Sequence, residues 1–226
     1  ILPILLALSL SLGYNLYAFG KVTGGYEGEK WSTPLFVGLY GLLMSSGKGL
    51  FLFVPLVFLL PWALAKFLKM GRSLETALCA GLLVSYILFH APFWTWHGGW
   101  SWGPRFLVPT MPFLVLPLGT LWNDRSIRHV VVLASSLSAV VQFLGVGVNF
   151  AEYMLMVNDE TKILFIPEYS PILGHFSILF NGKGPIDLAP VNLAAFGLSE
   201  GFSKGLLAVY LFILSLSLKK LGQSLG

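Results

Sequence analysis

The densest gathering of chemically capable side chains is FWTWHGGWSWGPRF, residues 93–106. Trp94, Trp96, Trp100, Trp102, His97 and Arg105 stand there among Gly98, Gly99 and Gly103, between two apolar runs. Tryptophan favours the headgroup level of a bilayer, so an aromatic belt accounts for the indoles. It does not account for three glycines, which let backbone approach a ligand or another helix. Nor does it explain an arginine placed directly after Pro104, where the next apolar run begins. A guanidinium near a headgroup plane is a planar fork suited to phosphate. A lipid-headgroup contact and a structural ion pair are its alternatives, and for His97 a structural role is the simpler reading.

SSGKG, residues 45–49, invites comparison with a nucleotide-binding loop and fails it. That loop needs four residues between its glycines and a Ser or Thr after the Lys; here Gly41 and Gly47 are too far apart and Gly49 follows Lys48. Lys48 is read instead as a cation at the membrane surface, either meeting a lipid phosphate or snorkelling as an anchor. GYNLYAFGKVTGGYEGEKW, residues 13–31, offers Tyr14, Asn15, Tyr17, Tyr26, Glu27, Glu29 and Trp31, a mixture able to line a sugar site or simply to form a solvated loop. His90 reads as a helix contact and His129 as an interfacial residue. His175, Glu168 and Asp187 match no metal spacing. HExxH and a cysteine pair are absent from the sequence, so it carries no metalloprotease signature. The single Cys79, inside an apolar run, reads as a small buried hydrophobe.

These residues must be held by elements that the composition already restricts. Of 226 residues, 56% are hydrophobic and 11% charged, against about 25% charged in an ordinary soluble domain. With mean hydropathy at +0.79, the sequence predicts an all-α, multi-pass transmembrane bundle and excludes a cytosolic enzyme or a disulfide scaffold. Six spans are expected, at 1–13, 50–67, 76–94, 106–122, 130–150 and 203–218, with Pro55, Pro61, Pro109, Pro112 and Pro117 kinking them. The chain opens on Ile1 with no basic leader and is read as the C-terminal part of a longer protein, forming one transmembrane domain over 1–226.

Connections after alternate spans separate by charge. Lys66, Lys69, Arg72, Arg125, Arg128, Lys219 and Lys220 share one side with only Glu75 and Asp124, which marks that side as cytoplasmic. The formal net charge of +4 is thus a matter of topology, not a footprint for nucleic acid. The external connections are long (14–49, 95–105 and 151–202), so the polar surface is expected outside. Short apolar stretches within them, 34–44 among them, are expected to lie along the interface or re-enter.

GLYGLLMSSGKGLFLFVPLVFLLP (38–61), WTWHGGWSWGPRFLVPTMPFLVLP (94–117) and YSPILGHFSIL (169–179) together resemble the C-terminal half of bacterial GT-C-type membrane glycosyltransferases. That broad group contains the protein mannosyltransferases and the lipid A aminoarabinose transferase. The GGWSWGPRF segment is the most specific part of the likeness. The resemblance implies sugar transfer from a polyprenyl-phosphate donor to a protein, lipid or glycan acceptor, on the non-cytoplasmic face of a bacterial inner membrane. It implies that Arg105 and Lys48 hold the departing lipid phosphate, with His97, Trp100, Trp102 and Tyr26 on the substrate side. The catalytic acid of such enzymes would lie upstream of Ile1, no residue here takes that role, and a need for divalent metal stays open. A multi-pass lipid or glycan transporter, recognising a headgroup without chemistry, is the alternative.

Overall fold

A computed structural model describes residues 2–22 and 29–188, with isolated positions between 192 and 212. The described chain is helical, and the one β-type pairing among the described residues is a bridge between Val148 and Ile186. Three helical stretches are long and apolar enough to cross a bilayer: Ser73–His90, Arg105–Asn123 and Arg128–Gly147. They match the expected spans at 76–94, 106–122 and 130–150. The span at 203–218 falls almost wholly outside the described residues. Near the start, α1 (Leu2–Phe19) is apolar and almost entirely exposed, and α2 (Leu35–Met44) is a ten-residue apolar helix inside the first long connection.

The expected span at 50–67 is interrupted. It consists of α3 (Leu50–Phe53), a 3₁₀ segment (Pro55–Leu59) and α4 (Leu60–Lys69). Pro55 has no N–H to give and disfavours helical backbone at the residue before it; Val54 accordingly leaves the helical region at φ −136°, ψ 72°. In an apolar layer the freed backbone groups need partners. A later long helix provides them. After α5 (Ser73–His90) comes a span that begins as 3₁₀ (Arg105–Thr110), continues as α6 (Met111–Gly119) and ends in a 3₁₀ turn, and then α7 (Arg128–Gly147). From α7, Gln142 Nε2 donates to the Phe53 carbonyl at 2.9 Å and Ser138 Oγ accepts from the Leu56 N–H at 3.1 Å.

The remaining elements are short: α8 (Phe150–Val157), α9 (Glu160–Phe165), a 3₁₀ turn (Pro167–Tyr169) and α10 (Pro171–Asn181). Asn149 and Asp159 cap α8 and α9, accepting from Glu152 N at 3.2 Å and Lys162 N at 3.0 Å, each satisfying one orphan donor of a helix start. α4 packs on α6, α7 on the 55–59 segment, α10 on α7, and α5 on 105–110. Leu42, Leu50, Val57, Leu107, Leu114 and Leu121 form the spine of the core.

Candidate functional site: a cleft framed by the tryptophan loop

The four tryptophans divide into two pairs. Trp96 is 4% exposed, and its ring lies where Gly41 of α2 has no side chain. Trp102 seats in the same way at Gly145 of α7. A Cβ at either glycine would overlap the indole, so each ring occupies a notch cut into a helix. Trp102 also stacks on His175 with centroids 4.6 Å apart and meets Phe53 edge-on at 5.0 Å. Trp94 and Trp100, by contrast, are 50% and 57% exposed. Two of the indoles are thus anchors packed into helices, and only the exposed pair is placed as the aromatic-belt expectation requires.

Between the anchors the backbone turns sharply. Gly98, Gly99 and Gly103 have φ of +74°, +65° and +62°, the left-handed region that L side chains avoid. Gly98 also runs close beneath Arg105, whose Cβ would lie 3.2 Å from a methyl placed there. The turn delivers Arg105 to the first position of its candidate span, exposed and over the ring of Phe106 at 5.4 Å. Among the described residues its guanidinium has no ion-pair partner. It lines a cleft of about 520 Å³ together with Glu29, Trp31, His90, Trp94, Gly99 and Trp100.

Glu29 and Trp31 reach this cleft because residues 30–33 are sewn to the end of α5. Trp94 N donates to the Lys30 carbonyl at 3.0 Å, Thr33 N to Pro92 O at 3.0 Å, and Trp31 Nε1 to Phe89 O at 3.2 Å. The 13–31 stretch was expected only as a general sugar-lining or solvated region. Two of its residues are in the cleft, and Tyr26 lies outside the described residues.

Lys48 is not the surface cation that the sequence suggested. It is 1% exposed, and its ammonium donates to the carbonyls of Gly99 (3.0 Å) and Ser101, beside the face of Phe150 at 4.9 Å. The 45–49 loop is drawn inward by α9 and the turn after it: Gly47 N donates to Leu164 O at 3.2 Å and Ser170 Oγ to Ser46 O at 2.8 Å. Burial pushes the Lys48 amine down to about 7, against the pull of Glu160 and with a smaller push from Arg105. With its donors spent beneath the tryptophan turn, Lys48 does not reach the cleft.

His97 sits behind the cleft wall. Burial lowers its pKa, opposed by Glu160 and assisted by Lys48. In the neutral ring Nδ1 accepts from Gly99 N at 3.2 Å, which puts the proton on Nε2 to face Thr95 Oγ1 at 3.3 Å. Glu160 Oε1 stands 3.3 Å from that same Nδ1, so a protonated ring would exchange the backbone donor for the carboxylate. Glu160, which no spacing in the sequence connects to the loop, is the acidic neighbour of both His97 and Lys48.

On the other side of Gly103 and Pro104 is a second cavity, of about 430 Å³, walled by apolar side chains such as Phe53, Val57, Trp102, Met111 and Leu114. Trp102 therefore faces this apolar space and not the Arg105 cleft. Of the six residues expected at a site, Arg105 and Trp100 line one cleft, and His97 and Lys48 support it from behind. No family model, curated protein or solved structure matches the chain.

Proposed function

We propose that this chain is part of an integral membrane glycosyltransferase that takes a sugar from a polyprenyl-phosphate donor at the non-cytoplasmic face. The observation that carries the reading is Arg105: an exposed guanidinium without an ion-pair partner among the described residues, at the head of a candidate membrane-spanning stretch, in a cleft walled by indole and phenyl rings. Breaking a glycosidic bond to phosphate leaves negative charge on the departing group. A fixed cation beside it favours the transition state over the ground state. Aromatic faces suit the C–H surface of a sugar ring, and the apolar cavity beyond Gly103–Pro104 suits a hydrocarbon tail. The general base that deprotonates the acceptor is not assigned to any residue here.

The test is transfer of labelled sugar from polyprenyl phosphate by the full-length protein in vesicles. Arg105→Ala abolishes it, and Arg105→Lys retains part, because the charge survives while the fork is lost. Full turnover by the alanine variant removes Arg105 from the reaction. Binding of the donor with loss on Arg105→Ala, but no transfer under any condition, would favour the transporter reading. The face is checked in intact cells: a membrane-impermeant thiol probe labels a cysteine at Ser101 and not one at Ser126.

A further inference from the structure

The floor of the cleft is a tight turn whose own bonds are all local. Across 98–101 these are Gly98 N to Thr95 O at 2.8 Å, Ser101 N to Gly99 O at 2.9 Å, Gly99 N to His97 Nδ1 at 3.2 Å and Ser101 Oγ to Gly98 O at 3.3 Å, and its two adjacent glycines carry much conformational freedom. The carbonyls of Gly99 and Ser101 meet their donor beneath the turn, on the side away from the cleft. That donor is the Lys48 ammonium, which Ser45 helps to hold by accepting from Lys48 N at 3.1 Å. A buried ammonium is costly unless it is hydrogen-bonded and compensated. Here the compensation is two carbonyls, a phenyl face and the field of Glu160, while Arg105 opposes it.

We propose that Lys48 is a positioning residue: its ammonium fastens the carbonyls of Gly99 and Ser101, and so fixes the wall from which Trp100 and Arg105 meet a phosphate-bearing lipid. The fastening stands on geometry alone; its consequence for the ligand rests on the reading of the cleft given above. Three segments distant in sequence meet at this one amine: the 45–49 loop that carries it, the tryptophan loop that accepts from it, and α8, whose Phe150 ring faces it at 4.9 Å. Below about pH 7, where the amine is protonated, each donor bond it makes is charge-assisted and stronger than a neutral one. An apolar side chain at 48 would leave both carbonyls without that donor.

The experiment uses the full chain in nanodiscs of zwitterionic lipid. Backbone hydrogen exchange is followed over 97–103, with α5 and α7 as internal references, and binding of polyprenyl phosphate added to the bilayer is followed by tryptophan quenching. Lys48→Met is expected to raise exchange across 98–102 about tenfold or more, leave the references unchanged, and weaken binding by a similar factor. Arg105→Ala is expected to lose binding with exchange at 98–102 as in the parent. If Lys48→Met leaves 98–102 as protected as the parent, the positioning role is overturned. If it loosens the turn while Arg105→Ala binds as tightly as the parent, the fastening stands and the anion reading of the cleft falls. Should methionine unfold the whole bundle, Lys48→Arg decides. It keeps a charged donor and is expected to restore protection to within about threefold; a folded arginine variant with an unprotected turn overturns the proposal.

Discussion

The indole of Trp102 lies where the side chain of residue 145 would begin, and Gly145 is what admits it. A glycine in the last turns of a candidate membrane-spanning helix thereby determines where the tryptophan loop is held.

Gly145→Ala follows directly. Its methyl would overlap the Trp102 ring, and overpacking of this kind costs about 1–3 kcal/mol. Gly81 of α5 has open space around it, so Gly81→Ala is the matched control. Thermal unfolding in detergent should fall clearly for the first and stay near the parent for the second. Equal effects would mean that helix propensity, not the notch, governs position 145.

Lys48 should leave a mark on stability against pH. Its folded pKa of about 7 lies below the ordinary 10.5. Between those values the unfolded chain holds a proton that the folded chain lacks, so stability rises with pH across that window. The full span corresponds to a difference on the order of 5 kcal/mol. Unfolding of the parent and of Lys48→Met, compared from pH 6.5 to 10, should show this rise in the parent alone; parallel curves would refute it.

For His97 the sign is the same and the window lower. Burial depresses its pKa below 6.5, so the unfolded chain takes up protons first on acidification and stability falls as pH drops below that value. Glu160 pulls the pKa upward, so Glu160→Gln should depress the His97 titration further, as read from its ring resonances by NMR. A shift upward would contradict the placement of the carboxylate.

The break at Val54–Pro55 relies on two side chains of α7. Gln142→Leu removes the donor to the Phe53 carbonyl, and a buried carbonyl so deprived costs about 1–3 kcal/mol. Ser138→Ala, which removes the acceptor for Leu56 N, should cost a comparable amount, with the double variant close to the sum. Unfolding by SDS titration measures all three, and an unchanged midpoint in the double variant would show that the break needs no repair.

What could be read from the sequence depended on how local the cause was. The three long apolar stretches are continuous in sequence, and hydropathy finds them. Arg105 and its glycines were recognisable because a tight turn and a cation at a helix start are local features. The division of the tryptophans was not, since Gly41 and Gly145 lie dozens of residues away and look like ordinary helix glycines. Lys48 misled for the same reason: SSGKG reads as a surface loop, and only the docking of Gly47 and Ser46 on α9 and the following turn turns its amine inward. The interruption at 50–67 could be suspected from Pro55, yet the groups that make it tolerable, Ser138 and Gln142, belong to another helix.

With Trp96 lodged in α2 and Trp102 in α7, the loop is a tie-bar bolted at both ends. Its two bolts are only six positions apart in the chain, too few to take up slack if the helices separate. A change in the tilt or spacing of α2 against α7, such as a thicker bilayer would impose, would be transmitted to the mouth beside Arg105 instead of being absorbed along the way.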